Sequence, residues 1–199
     1  ETLGKLFNQY DILMLFETWF VNENELEIDN FKLYYFNRSI LDKRAKRGSG
    51  GIAVYVKHEI SGYVHPISSY CDNIAWFGLS SSLLKSEKPI AIGTVYFPPE
   101  GSTHNREDLF AVLENDCARL MDAHQIIICG DFNARTGSLS DLPTQIEGTD
   151  NPTNRSSPEE NNFASILNKV RMSKDSTTNS FGKKLIELCN TVDLGRLNC

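Results

Sequence analysis

The chain has 199 residues, 40% of them hydrophobic and 10% aromatic, a composition typical of one globular domain with a sizeable core. No apolar run approaches the about 18 residues that a membrane-spanning helix needs, so no membrane association is expected. The formal net charge of −6 argues against a protein that binds nucleic acid through an overall positive charge, although a local basic patch can still bind it.

The first half of the chain alternates apolar strand patterns with polar connections. Residues 2–10 have the spacing of a short amphipathic helix, and residues 11–16 form an apolar run typical of a buried strand. β-Branched and aromatic residues predict further strands, at residues 31–36, 50–57, 74–79 and 89–96.

Two of these predicted strands deliver a polar side chain at their carboxyl end. Glu17 directly follows the first strand, and Tyr96 closes the last one before the two prolines at positions 98 and 99. Glu17 alone reads as a solvated rim residue, but with a second carboxylate nearby it becomes a candidate ligand for a hard divalent cation. Tyr96 is either a rim aromatic or a phenol that donates to a phosphate oxygen.

A basic segment at residues 43–47, Lys-Arg-Ala-Lys-Arg, precedes a glycine-rich stretch. One interpretation is a loop that contacts phosphates by charge, and the other is a solvated loop tip. Gly50 and Gly51 indicate a close backbone approach to a neighbour or a ligand.

The pattern at residues 105–121 predicts an amphipathic helix, and the apolar run from Ile126 predicts a buried strand that ends in Gly-Asp-Phe-Asn. Asp131 and Asn133 are two residues apart, so in extended geometry their side chains point the same way. A carboxylate beside an amide suits attack on a phosphate, since one orients the water or a metal and the other donates to a phosphate oxygen. Alternatively, Asp131 opens a turn or caps a helix.

The composition becomes polar over residues 134–179, which predicts a long surface loop of low order. Helical periodicity returns at residues 181–189, and residues 192–197 resemble the beginning of another strand. We interpret residues 1–199 as one domain that carries this polar loop.

The five cysteines show no CxxC spacing, which favours reduced, buried thiols in a reducing compartment over a disulfide or zinc framework. We therefore expect an intracellular protein, nuclear or cytoplasmic.

Taken in order, the motifs resemble the endonuclease/exonuclease/phosphatase superfamily. Within it, the chain is most similar to the apurinic-type endonuclease domains of non-LTR (LINE-like) retrotransposons. The matching segments are Leu15-Phe16-Glu17-Thr18-Trp19, residues 48–55, Val95-Tyr96-Phe97-Pro98-Pro99, residues 130–135 and residues 181–190.

The resemblance implies an α/β fold, a four-layer α/β sandwich of two packed mixed β-sheets flanked by helices. It also implies that Glu17 coordinates Mg²⁺ (or Mn²⁺) and that Asn133 and Tyr96 hold the scissile phosphate. Asp131 would orient or activate the attacking water, or assist the leaving group. These four residues should then converge on one face of the molecule. The implied activity is that of a DNA endonuclease that nicks the target site of a retroelement, with a reverse transcriptase domain in the parent chain. We expect a monomer.

Compared with the family pattern, the chain begins after a strand that carries a metal-site Asn and ends before a terminal Asp-His pair. None of its histidines stands in those contexts: His58 ends a predicted strand, His65 and His104 lie in predicted loops, and His124 precedes a strand. We therefore expect a truncated sandwich, a fragment without nicking activity. The alternatives are an inactive remnant that only binds metal or DNA, and a phosphatase that acts on lipid or inositol phosphates.

Overall fold

The computed structural model describes residues 7, 9–19, 27–36, 50–69, 71–102, 108–139, 175–192 and 194. The chain divides into two compact units, Glu1–Phe132 and Asn133–Cys199. The interpretation of residues 1–199 as one domain stays a prediction. Within the described ranges, no helix is both long enough and apolar enough to cross a membrane.

The first unit contains a three-stranded antiparallel sheet in which β1 (Ile12–Phe16) and β2 (Phe31–Phe36) both pair with β3 (Ile52–Lys57). The central position of β3 explains its sequence, Ile-Ala-Val-Tyr-Val, because a strand with neighbours on both sides and layers on both faces is apolar throughout. Its first five residues are buried. The three strands predicted in this part of the chain are confirmed.

A second sheet has the order β4 (Val64–Ile67), β5 (Ile74–Leu79), β6 (Ile90–Tyr96) and β7 (Gln125–Asp131). The first three strands are antiparallel, whereas β7 runs parallel to β6. Two short helices, α1 (His58–Ser61) and α2 (Ser81–Leu84), connect β3 to β4 and β5 to β6. The longer α3 (Leu109–Leu120) makes the crossover that a parallel pair requires.

Strand β4 was not predicted, and His65 lies in it rather than in a loop. The reason is Pro66, which argues against a strand in the sequence but is tolerated on the edge of a sheet. The His65 ring lies against Gly78 of β5, where any larger side chain would collide with it.

The two sheets pack face to face through alternate side chains. Ile52, Val54 and Val56 of β3 share one buried cluster with Ala75, Phe77 and Leu79 of β5. The Phe77 ring meets the rings of Tyr34 and Phe36 edge to face, at centroid distances of 5.6 and 5.4 Å. Burying a side chain of this size contributes about 1.5–3 kcal/mol to stability, so this interface is a main source of the unit's stability.

Helical residues cover the outer faces of both sheets. Phe7 packs edge to face on Phe31 and Tyr55, at 5.3 and 5.1 Å, on the outer face of the first sheet. On the second sheet, α3 buries an apolar stripe, namely Leu109, Phe110, Leu113, Cys117 and Leu120. The predicted α/β sandwich is confirmed, with the difference that the first sheet is antiparallel over its described strands and only the second is mixed.

A buried carboxylate joins α3 to β5. Asp116, 2% exposed, accepts hydrogen bonds from the Trp76 indole Nε1 at 2.9 Å and from Ser69 Oγ at 3.4 Å. It also forms an ion pair with Arg119, one turn along the helix, at 2.9 Å. A buried carboxylate needs several such donors because it has lost its hydration.

The second unit contains α4 (Ser180–Thr191), which confirms the predicted helix. Its N-cap is Asn179, and a β-bridge between Thr136 and Thr178 joins the two ends of the predicted polar loop. Residues 140–174 of that loop lie outside the described residues, as does most of the predicted strand at 192–197.

Asp175, at the end of the same loop, accepts hydrogen bonds from the amide and hydroxyl of Thr177. These two bonds, followed by the nearby Arg135 guanidinium, hold the pKa of Asp175 below its ordinary value of 3.8.

We expect Asp116→Ala to lower the free energy of unfolding by about 2–4 kcal/mol, because it leaves the Trp76 indole and Arg119 without their buried acceptor. Urea unfolding followed by tryptophan fluorescence measures the change. The matched control is Asn115→Ala, at an exposed position of the same helix, which should stay within about 0.5 kcal/mol of the wild type. Equal stability of the two variants would contradict the role of Asp116.

Asn179→Ala should destabilise the second unit by about 2 kcal/mol, because one side chain makes three hydrogen bonds. Its Oδ1 accepts from the amides of Gly182 (2.8 Å) and Arg135 (2.9 Å), and its Nδ2 donates to the Asn133 carbonyl (2.9 Å). Urea titration of far-UV circular dichroism tests this. Asn190→Ala, exposed near the other end of α4, is the control and should have little effect.

Candidate functional site

A carboxylate of the first sheet and a phenol of the second meet at one end of the sandwich. Glu17 directly follows β1, and Tyr96 is the last residue of β6. The Tyr96 hydroxyl donates a hydrogen bond to Glu17 Oε1, although 79 positions separate the two residues. Tyr96 is 8% exposed and Glu17 is exposed, so the phenol is fixed by packing while the carboxylate faces solvent.

Asp131 lies beside Tyr96 on the neighbouring strand. The two residues are register partners in the parallel pairing of β6 and β7, so their side chains leave the same face of the sheet. The amide of Phe97 donates to the Asp131 carbonyl at 2.8 Å, which extends this pairing one residue beyond β6. Glu17, Tyr96 and Asp131 are thus three of the four predicted site residues, and the first unit brings them to one end of its two sheets.

Asn73, which was not selected from the sequence, supports Tyr96. Its carbonyl accepts from the Tyr96 amide at 3.0 Å, and its Nδ2 donates to the Tyr96 carbonyl at 2.8 Å. An Asn that precedes a strand normally signals a turn. Asn73 lies one residue before β5, which pairs with β6, and only this position could have indicated its contact with Tyr96.

The segment that carries Glu17 has an unusual backbone. Glu17 and Trp19 have φ values of 53° and 54°, in the left-handed region that few side chains adopt. The amides of Thr18 and Trp19 donate to the carbonyls of Gly51 (3.4 Å) and Gly50 (2.9 Å). The two glycines themselves have φ values of 92° and 68°, so the predicted close backbone approach is to a neighbouring segment.

Asn133, the fourth predicted residue, belongs to the second unit. The assumption of extended geometry from Asp131 to Asn133 was wrong, because β7 ends at Asp131 and Asn133 has a φ of 47°. Its carbonyl accepts from Asn179 Nδ2 at 2.9 Å. A role of Asn133 in the site stays a prediction.

Cys129 lies on the same face of β7 as Asp131, two residues earlier. Its Sγ is 3.3 Å from the sulfur of Met14, which also accepts from the Thr94 hydroxyl at 3.2 Å. Burial raises the pKa of the Cys129 thiol, and a hydrogen bond with Thr94 opposes this only in part. The thiol is therefore protonated at neutral pH and is not an activated nucleophile.

The carboxylates at this end define what the site can bind. No group of three or more His, Cys, Asp or Glu suited to a metal ion occurs within the described part of the chain. Mg²⁺ is commonly held by only one or two carboxylates, with water and substrate phosphates completing its shell. Glu17, exposed and ordered by Tyr96, fits that kind of site.

The remaining predictions concern the basic segment and the histidines. The basic segment at residues 43–47 lies outside the described residues, as does His104. The prediction that His58 ends a strand was wrong, because β3 ends at Lys57 and His58 begins α1. His124 directly precedes β7, as predicted.

Comparisons with known proteins identify a family and structural relatives. A sequence model of the endonuclease/exonuclease/phosphatase family matches residues 1–177. No curated protein matches the chain significantly. Among solved structures, the chain is similar to the human Nocturnin catalytic domain with a bound sulfate anion, with 16% sequence identity and a TM-score of 0.46. The similarity covers 67% of this chain and 55% of that one, so the chain spans about half of the Nocturnin domain.

We expect Asn73→Ala to loosen the end of β6 without unfolding the unit, because the Tyr96 carbonyl loses its side-chain donor. The amide of Phe97, which pairs with Asp131 just beyond this point, should exchange with solvent about fivefold faster, corresponding to a loss of about 1 kcal/mol. Hydrogen exchange followed by NMR measures this, with an amide in the middle of β3 as the internal reference. An unchanged Phe97 rate would show that Asn73 does not support the site.

Proposed function

Because the chain belongs to the endonuclease/exonuclease/phosphatase family, we propose that it is the DNA endonuclease of a retroelement, a divalent-metal-dependent phosphodiesterase that nicks a target site. The observation that carries the proposal is the hydrogen bond from Tyr96 to Glu17 with Asp131 on the adjacent strand. The three residues end or directly follow three different strands, so their proximity comes from the fold and not from their closeness in the sequence.

The proposed chemistry follows from the charge of the substrate. A phosphodiester gains negative charge as it is attacked, so the site must supply a cation and fixed hydrogen-bond donors. Enzymes of this family generally use divalent metal ions. Glu17 would hold the ion, for which we propose Mg²⁺ or Mn²⁺, and the bound ion would neutralise phosphate charge.

Tyr96 is proposed to hold the scissile phosphate. A phenol has one proton to donate, and in the structure Glu17 accepts it. To bind a phosphate oxygen, the hydroxyl must turn from Glu17 to the substrate while the buried ring stays in place. Substrate binding and the Glu17 contact therefore compete for the same proton.

Asp131 is proposed to orient the attacking water and to accept its proton. Its side chain is exposed at the end of β7, where a water molecule can reach it, and it leaves the same face as Tyr96. An ionised carboxylate only accepts hydrogen bonds, which suits it to the water rather than to the phosphate. The Asn133 amide would add a donor to the phosphate.

DNA is proposed as the substrate because the matching motifs resemble those of retrotransposon endonucleases along most of the chain. The basic segment at residues 43–47 would add contacts to the DNA backbone. The resemblance also implies a reverse transcriptase domain as the partner that uses the nicked end.

We expect Asp131→Asn to reduce the rate of nicking by about 10²–10⁴-fold, as for loss of a general base, and Tyr96→Phe by about 10²–10³-fold, as for loss of one transition-state donor. Glu17→Gln should raise the Mg²⁺ concentration needed for half-maximal rate. The measurement is a time course of supercoiled-plasmid nicking with Mg²⁺ and with chelator. Each variant is assayed in the 199-residue chain and in a version extended at both ends.

The matched control is Glu87→Gln, an exposed carboxylate in the connection that precedes β6, at the opposite end of that strand from Tyr96. It should nick at the wild-type rate. Hydrolysis of an inositol phosphate or a phosphoinositide without DNA nicking would replace the proposal by the lipid or inositol phosphatase alternative. Binding of metal or DNA without any hydrolysis would identify an inactive remnant.

A further inference from the structure

We propose that Trp19 is a substrate-binding residue, whose indole ring stacks on a nucleobase next to the scissile phosphate. This inference rests on the proposed function and adds to it a contact with a base. Stacking on an aromatic side chain is tolerant of sequence because every nucleobase has a π face.

The first observation is exposure. Trp19 is 49% exposed, whereas the other tryptophan, Trp76, is fully buried and has its indole N–H paired with Asp116. An indole is among the largest apolar surfaces that a side chain can present. An indole left in water does not contribute the stabilisation that its burial would give. Large exposed aromatics of this kind are enriched at binding surfaces.

The second observation is the backbone. A φ of 54° is unusual for a bulky side chain and persists only where the surroundings impose it. Here the Trp19 amide donates to the Gly50 carbonyl at 2.9 Å, beside the pairing of Thr18 with Gly51. The ring is therefore presented from a backbone whose position is fixed before any ligand binds.

The third observation is location. Trp19 is two residues from Glu17, a distance of at most about 7 Å along the chain, and Glu17 contacts Tyr96. A polynucleotide whose phosphate lies at Tyr96 would have its bases within reach of this ring. An inositol phosphate has no flat π face to stack, so Trp19 favours a nucleic acid over that alternative.

The test uses the fluorescence of Trp19, since the buried Trp76 is shielded from ligands. The 199-residue chain, which contains these two tryptophans, is titrated with a 20-nucleotide oligothymidylate and with an abasic oligonucleotide of equal length and charge, in chelator so that nothing is cleaved. The oligothymidylate should quench the exposed tryptophan, and Trp19→Ala should weaken its binding about tenfold. Trp19→Phe, which keeps a ring, should retain most of the affinity but lose the quenching.

Two comparisons make the result specific. Tyr63→Ala, at a 42% exposed aromatic just before β4 and opposite the Tyr96 end of the sheet, should bind like the wild type. The abasic oligonucleotide should bind the wild type and Trp19→Ala equally. Circular dichroism confirms that each variant is folded.

Equal affinity of Trp19→Ala and wild type for oligothymidylate, or equal quenching by the abasic strand, would overturn the proposal. If that happens while Mg²⁺-dependent nicking persists, only the stacking role fails. If Trp19-dependent binding is found without nicking, the proposed catalytic function fails and the base contact stands.

Discussion

The face-to-face packing of the two sheets is the constraint on which the candidate site depends. Because side chains alternate along a strand, the contact of Phe77 with Tyr34 and Phe36 fixes which faces meet. Further along, the Thr94 hydroxyl touches the sulfur of Met14, and two residues beyond Thr94 comes Tyr96. The register between the sheets thus brings Tyr96 to Glu17, so that a polar contact of the surface is set by apolar packing in the core.

The unit uses carboxylates in two physically different ways. Asp116 is buried and needs an indole, a guanidinium and a hydroxyl to offset its lost hydration. Glu17 and Asp131 are exposed, so their carboxylates keep contact with water. The strained backbone at Glu17 and Trp19, about 1–3 kcal/mol for each residue, is sustained by the rest of the unit.

The sequence predicted those features that depend on local periodicity. The strands at residues 31–36 and 74–79 have the predicted bounds, and α3 and α4 show the expected apolar stripes. What escaped prediction depends on neighbours distant in the chain. Strand β4 contains a proline that is acceptable only because β4 is an edge. Asn73 matters only because β5 pairs with β6, and the backbone at Asn133 leaves the extended geometry assumed for it.

The bridge between Thr136 and Thr178 has a consequence for how this protein can vary. It joins two points of the second unit whose connecting segment is long and polar, and the Asn179 side chain secures the same junction. Once the two ends of a segment are held together, each doubling of its length costs only about 0.6 kcal/mol in closure entropy. Changing the number of residues between these two threonines should therefore cost little stability, and a reporter domain inserted there should hinder folding far less than one placed in a strand.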